Sequence, residues 1–198
     1  MKIAFSTSLG FSLALIVIAA VWISKYGKAR KTRKYSEGRE TIVRDDRFRT
    51  FGKVIFVVSN LVTLASFWIN SQALLPFCEN HGLRLAGMVV LIVATLLYFN
   101  SMKHLGENYS PCFDSHRPIH LVKQGPYKYV RHPVYMANIL LCVGYSLASC
   151  SLWVLAFSGY GAFKMLRAME GEESYLSKTF PGYREYQAKT SRLIPFIY

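Results

Sequence analysis

Uncharged and charged positions fall along this chain in long alternating blocks. Residues 3–24 carry no charge and are bounded by Lys2 and Lys25. Those 22 residues suffice to cross the ~30 Å hydrocarbon core of a bilayer as a helix. Their length, with a dense basic block behind them, favours a retained anchor over a signal peptide. Residues 54–78, between Lys53 and Glu79, predict a second crossing with Trp68 near its far end. Pro76 and the Glu79-Asn80-His81-Gly82 group predict a short turn. Residues 85–102, between Arg84 and Lys103, predict a third crossing of 18 residues, near the lower limit of length. Residues 133–163 are uncharged again. As one helix those 31 residues would run ~46 Å, too long for a single straight pass. They predict a hairpin turning near Ser149-Cys150-Ser151, its second arm extending past Lys164 if that side chain snorkels.

Charge orients these blocks. The chain is 52% hydrophobic yet carries a formal net charge of +13. The two conflict in a soluble protein and agree in a membrane protein whose charges sit in loops, so a nucleic-acid partner is not expected. Residues 25–50, 103–132 and 164 onward hold 21 of the 24 Lys and Arg residues. The positive-inside rule places all three on the cytoplasmic side. The expectation is an all-α integral membrane protein with about five transmembrane helices, its N-terminus outside and its C-terminus in the cytoplasm. It is a multi-pass protein of a prokaryotic inner membrane, or of the endoplasmic reticulum if eukaryotic. The 25–50 loop, with ten basic and four acidic residues, reads as a solvated loop that fixes topology; binding of anionic headgroups is the sharper alternative. Cys78, Cys112, Cys142 and Cys150 show no CxxC and no metal spacing. Neither a disulfide nor a metal site is expected.

The polar segment 103–132 is too long for a simple turn, and long ordered loops tend to be functional. It leads into Arg131-His132-Pro133, where Pro suits the first turn of a helix. Helix N-termini offer unpaired N–H groups and a partial positive charge. Beyond the hairpin, Leu176 and Phe180 share a helix face, Pro181-Gly182 break it, and Tyr183 and Tyr186 start a second short helix. A tight hairpin joins its own ends, so Arg131 and His132 should neighbour Glu170, Glu172 and Glu173.

The run Gly125-x-Tyr127-x-x-x-Arg131-His132-Pro133-x-Tyr135, then an apolar hairpin, then Glu172-Glu173-x-x-Leu176-x-x-x-Phe180 and an end closing on Arg192-Leu193-Ile194-Pro195 resembles the isoprenylcysteine carboxyl methyltransferase family. That family is related to the membrane phospholipid methyltransferases. The likeness covers about residues 100–198 and includes the Leu105–Ser110 run and His120-Leu121-Val122. It implies an S-adenosylmethionine-dependent methyltransferase with its active site at the membrane face. Carried over, the cofactor-binding residues are Ile119, His120, Leu121, Val122, Tyr127, His132, Pro133, Val134, Tyr135 and Glu172. Three positions depart from the family pattern. Ile119 stands where relatives have His, Ala137 where Gly is frequent, and Ala168 where an Arg binds substrate. Arg167 lies one step from that Arg, about 100° around a helix.

The chemistry of these residue types agrees with that implication. Tyr127 and Tyr135 offer aromatic faces to a sulfonium. Glu172 can pair with an amino group or ribose hydroxyls, and His132 can hydrogen-bond the adenine or the carboxylate. A carboxylate acceptor needs a cation to orient it, for which Arg167 or Arg131 serves; an amine or thiol needs a base. Arg167, Glu172 and Arg131 are the catalytic candidates. The leading acceptor is a prenylcysteine-type carboxylate; a phospholipid amine or small thiol is the alternative. A non-catalytic scaffold that binds anionic lipid is the alternative from another class. Residues 1–102 read as three crossings with the basic loop, and residues 103–198 as a catalytic region with hairpin 133–169 and a cytoplasmic tail. Plainer readings remain. Arg131 and His132 can be interfacial anchors, and Glu172-Glu173 a helix-terminal charge pair. Tyr183, Tyr186 and Tyr198 read best as an aromatic belt, and His104 and His116 as solvated.

Overall fold

The structure, a computed structural model, describes residues 2–32, 38–69, 74, 76–77, 80–110, 112 and 114–195. It is mostly helical. Helix α1 spans Lys2–Thr32, α2 Asp46–Ser66, α3 His81–Leu105, α4 Pro133–Ser149, α5 Leu152–Thr179 and α6 Tyr183–Lys189. The Glu79 side of the expected turn, Cys78 and Tyr198 lie outside the described residues. Asp45 starts α2 by accepting from the Phe48 N–H at 2.9 Å. Asn80 starts α3 by accepting from Gly82 and Leu83. Both satisfy N–H groups that a helix start leaves orphaned. Two helices, α2 and α3 with its short extension to Asn108, are long and apolar enough to cross a membrane by length and composition.

The blocks seen in the sequence become helices with shifted ends. The second block ends at Ser66 rather than 78, and the third grows to 25 residues. The hairpin turns where expected, with Cys150 in the left-handed region at φ 51°. Helix α5 continues unbroken for 28 residues, ~42 Å at the α-helical rise. The acidic segment is therefore the end of the fifth helix and not a separate one. The helix is regular through Ala168-Met169, so Arg167 keeps its facing about 100° from Ala168.

Side-chain ties sort the helix ends into two groups. At one end the Trp68 indole donates to Ser12 at 2.8 Å, and Arg84 donates to the Ser66 carbonyl at 2.8 Å. There the Phe77 N–H reaches the Cys150 carbonyl at 2.8 Å. Cys150 is disulfide-bonded, which corrects the expectation of none; Cys112 and Cys142 are free. A cysteine beside a helix turn looks identical in sequence whether bonded or not. At the other end Lys164 of α5 pairs with Asp45 at 3.0 Å. Here an unforeseen two-stranded antiparallel sheet joins β1, Thr41–Arg44, to β2, Asp114–His116.

The core lies between the helices. Leu91, Ala94 and Ala148 are fully buried at the α3–α4 contact. Gly87 and Gly144 let the two backbones meet: a Cβ on Gly87 would sit 2.4 Å from the Ala148 nitrogen. Leu13, Val17, Val57, Leu61, Leu96 and Phe163 point outward and stay exposed, as suits helices solvated by lipid rather than water.

Candidate active site

The start of α4 and the end of α5 meet at the end of the bundle that carries β1 and β2. His132 precedes the helix, with Pro133 in its first turn and no side chain capping the free N–H groups. Pro133 is fully buried. The segment before it is held from the other side. Val130 pairs with Ser191 in a short parallel bridge, and the His132 N–H donates to the Arg192 carbonyl at 3.2 Å. The C-terminal segment is thereby laid across the start of α4.

Two adjacent glutamates of α5 face this point and do different things. Glu173 is buried. Its Oε1 accepts from Arg131 Nε at 2.8 Å and lies 3.1 Å from His132 Nε2. Its Oε2 accepts from Arg192 at 2.8 and 3.0 Å. Burial alone pushes that carboxyl's pKa up, but hydrogen bonds from His132, Arg192 and Arg131 outweigh it and hold the group well below the usual carboxylate range. Arg131 also donates to the Gln187 carbonyl at 3.1 Å and to the Thr190 carbonyl. Glu172, by contrast, accepts from the Tyr135 hydroxyl at 2.6 Å and stands 4.0 Å from His132 Nδ1.

An open-sided cleft of about 820 Å³, mouth included, lies over Glu172. Of the predicted cofactor-binding residues, His120, Leu121, Val122, Tyr127, His132, Val134, Tyr135 and Glu172 line it. Ile119 does not; its side chain is 56% exposed, and its N–H is held by Asn108 Oδ1 at 2.7 Å. Pro133 does not line it either. Of the catalytic candidates, Glu172 and Arg131 line the cleft and Arg167 does not. The Arg167 side chain is 68% exposed and pairs with Glu170 one turn away at 3.3 Å.

Several lining residues were not singled out by sequence. Tyr183 and Tyr186 are buried, at 1% and 6% exposure, and line the cleft. The expectation that they form an aromatic belt is thereby corrected. Tyr186 donates to the Tyr127 carbonyl at 2.6 Å, which fixes one tyrosine by another. His116, expected to be solvated, lines the cleft, and its Nδ1 is buried without a partner. Asn108 is buried just after α3, and its amide contacts both His120 and the backbone at 119–120. It positions the 119–122 segment. The Leu105–Ser110 run was its only signal in sequence. Cys112 also lines the cleft; burial, then the charge of Glu172, pushes its thiol pKa up.

These residues fit the implied cofactor. Glu172 keeps acceptor capacity beyond its one bond to Tyr135. The uncapped first turn of α4 offers N–H groups to a carboxylate. Tyr127 and Tyr135 provide ring faces. Ser115 Oγ, His116 Nδ1 and Tyr183 Oη are buried without partners on the same cleft. Orphaned polar groups cost ~1–3 kcal/mol each, a debt that a bound polar ligand relieves. Among the described residues, no group of three or more His, Cys, Asp or Glu is placed to hold a metal.

Residues 83–182 match the family described as phospholipid methyltransferase. The cobalt-zinc-cadmium resistance protein CzcN of Cupriavidus metallidurans is 34% identical over 76 residues, which cover 38% of this chain and 35% of that protein. The solved structure of the eukaryotic intramembrane Ras methyltransferase, isoprenylcysteine carboxyl methyltransferase, matches 77% of this chain and 54% of its own, at TM-score 0.55 and 22% identity. At that identity the likeness is one of fold. The chain thus spans about a third of the first relative and about half of the second.

Proposed function

The chain belongs to the phospholipid methyltransferase family, and on that premise we propose that it transfers a methyl group from S-adenosylmethionine to a lipidic acceptor at a membrane face. The observation that carries this reading is the meeting of His132, Tyr135 and Glu172 on one cleft at the end of a helix bundle. The cofactor's sulfonium would supply an activated methyl. Glu172 would hold the amino group, the first turn of α4 the carboxylate, and His120 to Val122 with Tyr127 the adenosine. Methyl transfer is an in-line displacement, so close alignment by this shell supplies much of the rate. Residues 103–198 carry the chemistry and residues 1–102 frame it; among the described residues, Ile42 is the one cleft residue contributed by the frame.

The acceptor we favour is a lipid amine. A prenylcysteine carboxylate, the second reading, needs a cation at the reacting end. Arg167 points away from the cleft, and Arg131 and Arg192 are both engaged by Glu173. An amine needs a base instead, and His116, its Nδ1 unpartnered, lines the cleft.

Titration calorimetry with S-adenosylhomocysteine tests the core of the reading. The wild type should bind, and Glu172→Gln should weaken binding about tenfold, the loss of roughly 1.4 kcal/mol expected for a charge-assisted hydrogen bond. A wild type that does not bind would overturn the enzyme reading and leave the lipid-binding scaffold. Labelled cofactor offered with a lipid amine and a prenylcysteine analogue decides the acceptor. Arg167→Ala should leave amine methylation unchanged; a large loss with the prenylcysteine analogue would restore the carboxylate reading.

A further inference from the structure

A second cavity, of about 750 Å³ with its mouth included, lies at the end of the bundle opposite the cleft and shares no lining residue with it. The 17 residues of α4 put ~25 Å between the two at the α-helical rise. The frame of this cavity is tied on two sides. The Trp68 indole, just past α2, holds α1 through Ser12. The Ser151 hydroxyl donates to the Leu74 carbonyl at 2.6 Å, and Pro76 pairs with Ser151 in an antiparallel bridge.

The lining is of two kinds. Phe11 and Phe67 are apolar, their ring centroids 5.3 Å apart. Arg84 and His81 of α3, with Ser66 and Ser149, are polar, and no described lining residue is acidic. Arg84 is part of the wall by its geometry. Its Nη1 donates to the Ser66 carbonyl at 2.8 Å and to the Ser66 hydroxyl at 3.2 Å, and its guanidinium carbon lies 5.6 Å from the Phe67 ring centroid. An arginine that served only as a surface anchor would extend its head into water; this one is turned across the bundle to α2. Ser149 is 2% exposed, and its hydroxyl reaches the Ser146 carbonyl at a long 3.4 Å, a weak bond that a better acceptor can replace.

We propose that this cavity is a second, non-catalytic site that holds the negatively charged head of an anionic lipid from the leaflet on that side. Charge complementarity selects the occupant. A guanidinium and an imidazole present N–H donors to head oxygens, and bonds from the guanidinium are charge-assisted. A zwitterionic head would bring its own cation to the same wall. The tail would leave over the exposed side chains of Leu9, Ile69 and Leu85 at the same helix ends. Glu172 and the reacting groups lie at the other end of the bundle, so the lipid held here is not the methyl acceptor. It would act by joining the ends of α1 to α4.

The test uses the full chain in non-ionic detergent, titrated with dihexanoyl-phosphatidylglycerol, dihexanoyl-phosphatidylcholine or inorganic phosphate, with affinity read by calorimetry. The wild type should bind the phosphatidylglycerol about tenfold more tightly than the phosphatidylcholine, and its melting temperature should rise on saturation with the former. Inorganic phosphate should bind more weakly, because it lacks the tail. His81→Ala removes a donor and Ser8→Leu fills space in the cavity wall; each should weaken phosphatidylglycerol binding about three- to tenfold. Arg84→Gln should abolish the preference for the anionic lipid, and Arg84→Lys should keep part of it, since the charge stays and the planar fork is lost. Arg84 also holds the last turn of α2; should Arg84→Gln not fold, His81→Ala and Ser8→Leu decide. Lys103→Gln, at the other end of α3, controls for general attraction to a basic protein and should change affinity by less than about twofold. The inference is wrong if the wild type binds both lipids equally, if His81→Ala and Ser8→Leu have no effect, or if Lys103→Gln costs as much as they do. Phosphate that binds as tightly as the phosphatidylglycerol would make this a site for a free anion and overturn the lipid.

Discussion

At the scale of single residues, the adjacent pair Glu172 and Glu173 divides two tasks. Glu173 ties Arg131, His132 and Arg192 together, so it joins the start of α4 to the C-terminal segment. Removing its charge takes away the carboxylate that joins the Arg131 guanidinium and the His132 ring to Arg192 of the C-terminal segment. Glu173→Gln should therefore destabilise the folded protein by about 3–5 kcal/mol, read as a fall in detergent melting temperature. Glu172→Gln should cost far less stability and mainly lower cofactor affinity. The pH dependence follows from the sign of the shift. Glu173's folded pKa is depressed, so its contribution is complete above the ordinary carboxylate value and is lost only as pH falls through the lower folded value. The gap between wild type and Glu173→Gln should be flat from about pH 5 to 8 and shrink below about pH 4. A gap that closes already near pH 6 would mean that the Glu173 carboxyl is not held below its ordinary range. The sequence placed Arg131 and His132 opposite Glu170, Glu172 and Glu173, because a tight hairpin returns to its start; Glu170 instead pairs with Arg167 on the exposed side of α5. It carried no sign of which glutamate faces which partner, since adjacent helix positions differ only by rotation. Tyr183 and Tyr186 were misread for a related reason: a tyrosine near a membrane surface has the same sequence signature whether it stands in the interface or is folded under a strap.

At the scale of elements, charge-free blocks bounded by Lys, Arg and Glu were enough to find the helices, and Pro181-Gly182 the break before α6. The β1–β2 sheet was invisible. Four residues are too few for a periodic signal, and Thr41 pairs with His116 across 74 intervening positions. The α3–α4 contact was not legible either, because Gly87 and Gly144 stand in apolar runs like any other small residue. Their role comes only from the partner helix. Without a hydrophobic drive between helices in lipid, close backbone approach carries much of the association. A methyl group on Gly87 would meet the Ala148 backbone at 2.4 to 2.9 Å, atoms that cannot swing aside. Gly87→Ala should thus lower stability by about 1–3 kcal/mol and, by tilting α4, weaken cofactor binding. Gly159→Ala is the control: nothing lies within 4 Å of its added methyl, so its melting temperature should be unchanged. Equal melting of both variants would show that the two helices do not pack closely.

For the whole molecule, two independent features point to one orientation. The cleft, the β1–β2 sheet and the end of α5 share one end of the bundle, and the three regions that meet there hold 21 of the 24 basic residues. The positive-inside rule favours the cytoplasm for that end. The opposite end holds the α4–α5 turn and the disulfide at Cys150. Disulfides persist in oxidising compartments and are rare in the cytosol, so we propose that the disulfide end lies on the far side of the membrane. On that proposal the five long helices would alternate in direction, and the cleft would open to the cytoplasm that supplies S-adenosylmethionine. With Cys112 and Cys142 replaced by Ser, single cysteines at Glu107, Arg184 and Ile69 separate the possibilities. Ile69→Cys should react with a membrane-impermeant maleimide on intact cells. Glu107→Cys and Arg184→Cys should react only after the membrane is opened. Cys150 should become reactive from outside only after a reductant is added. Labelling of Glu107→Cys and Arg184→Cys from opposite faces would break the five-crossing arrangement itself. Labelling of both on intact cells would keep the arrangement and invert it, and the cleft would then face away from its cofactor supply.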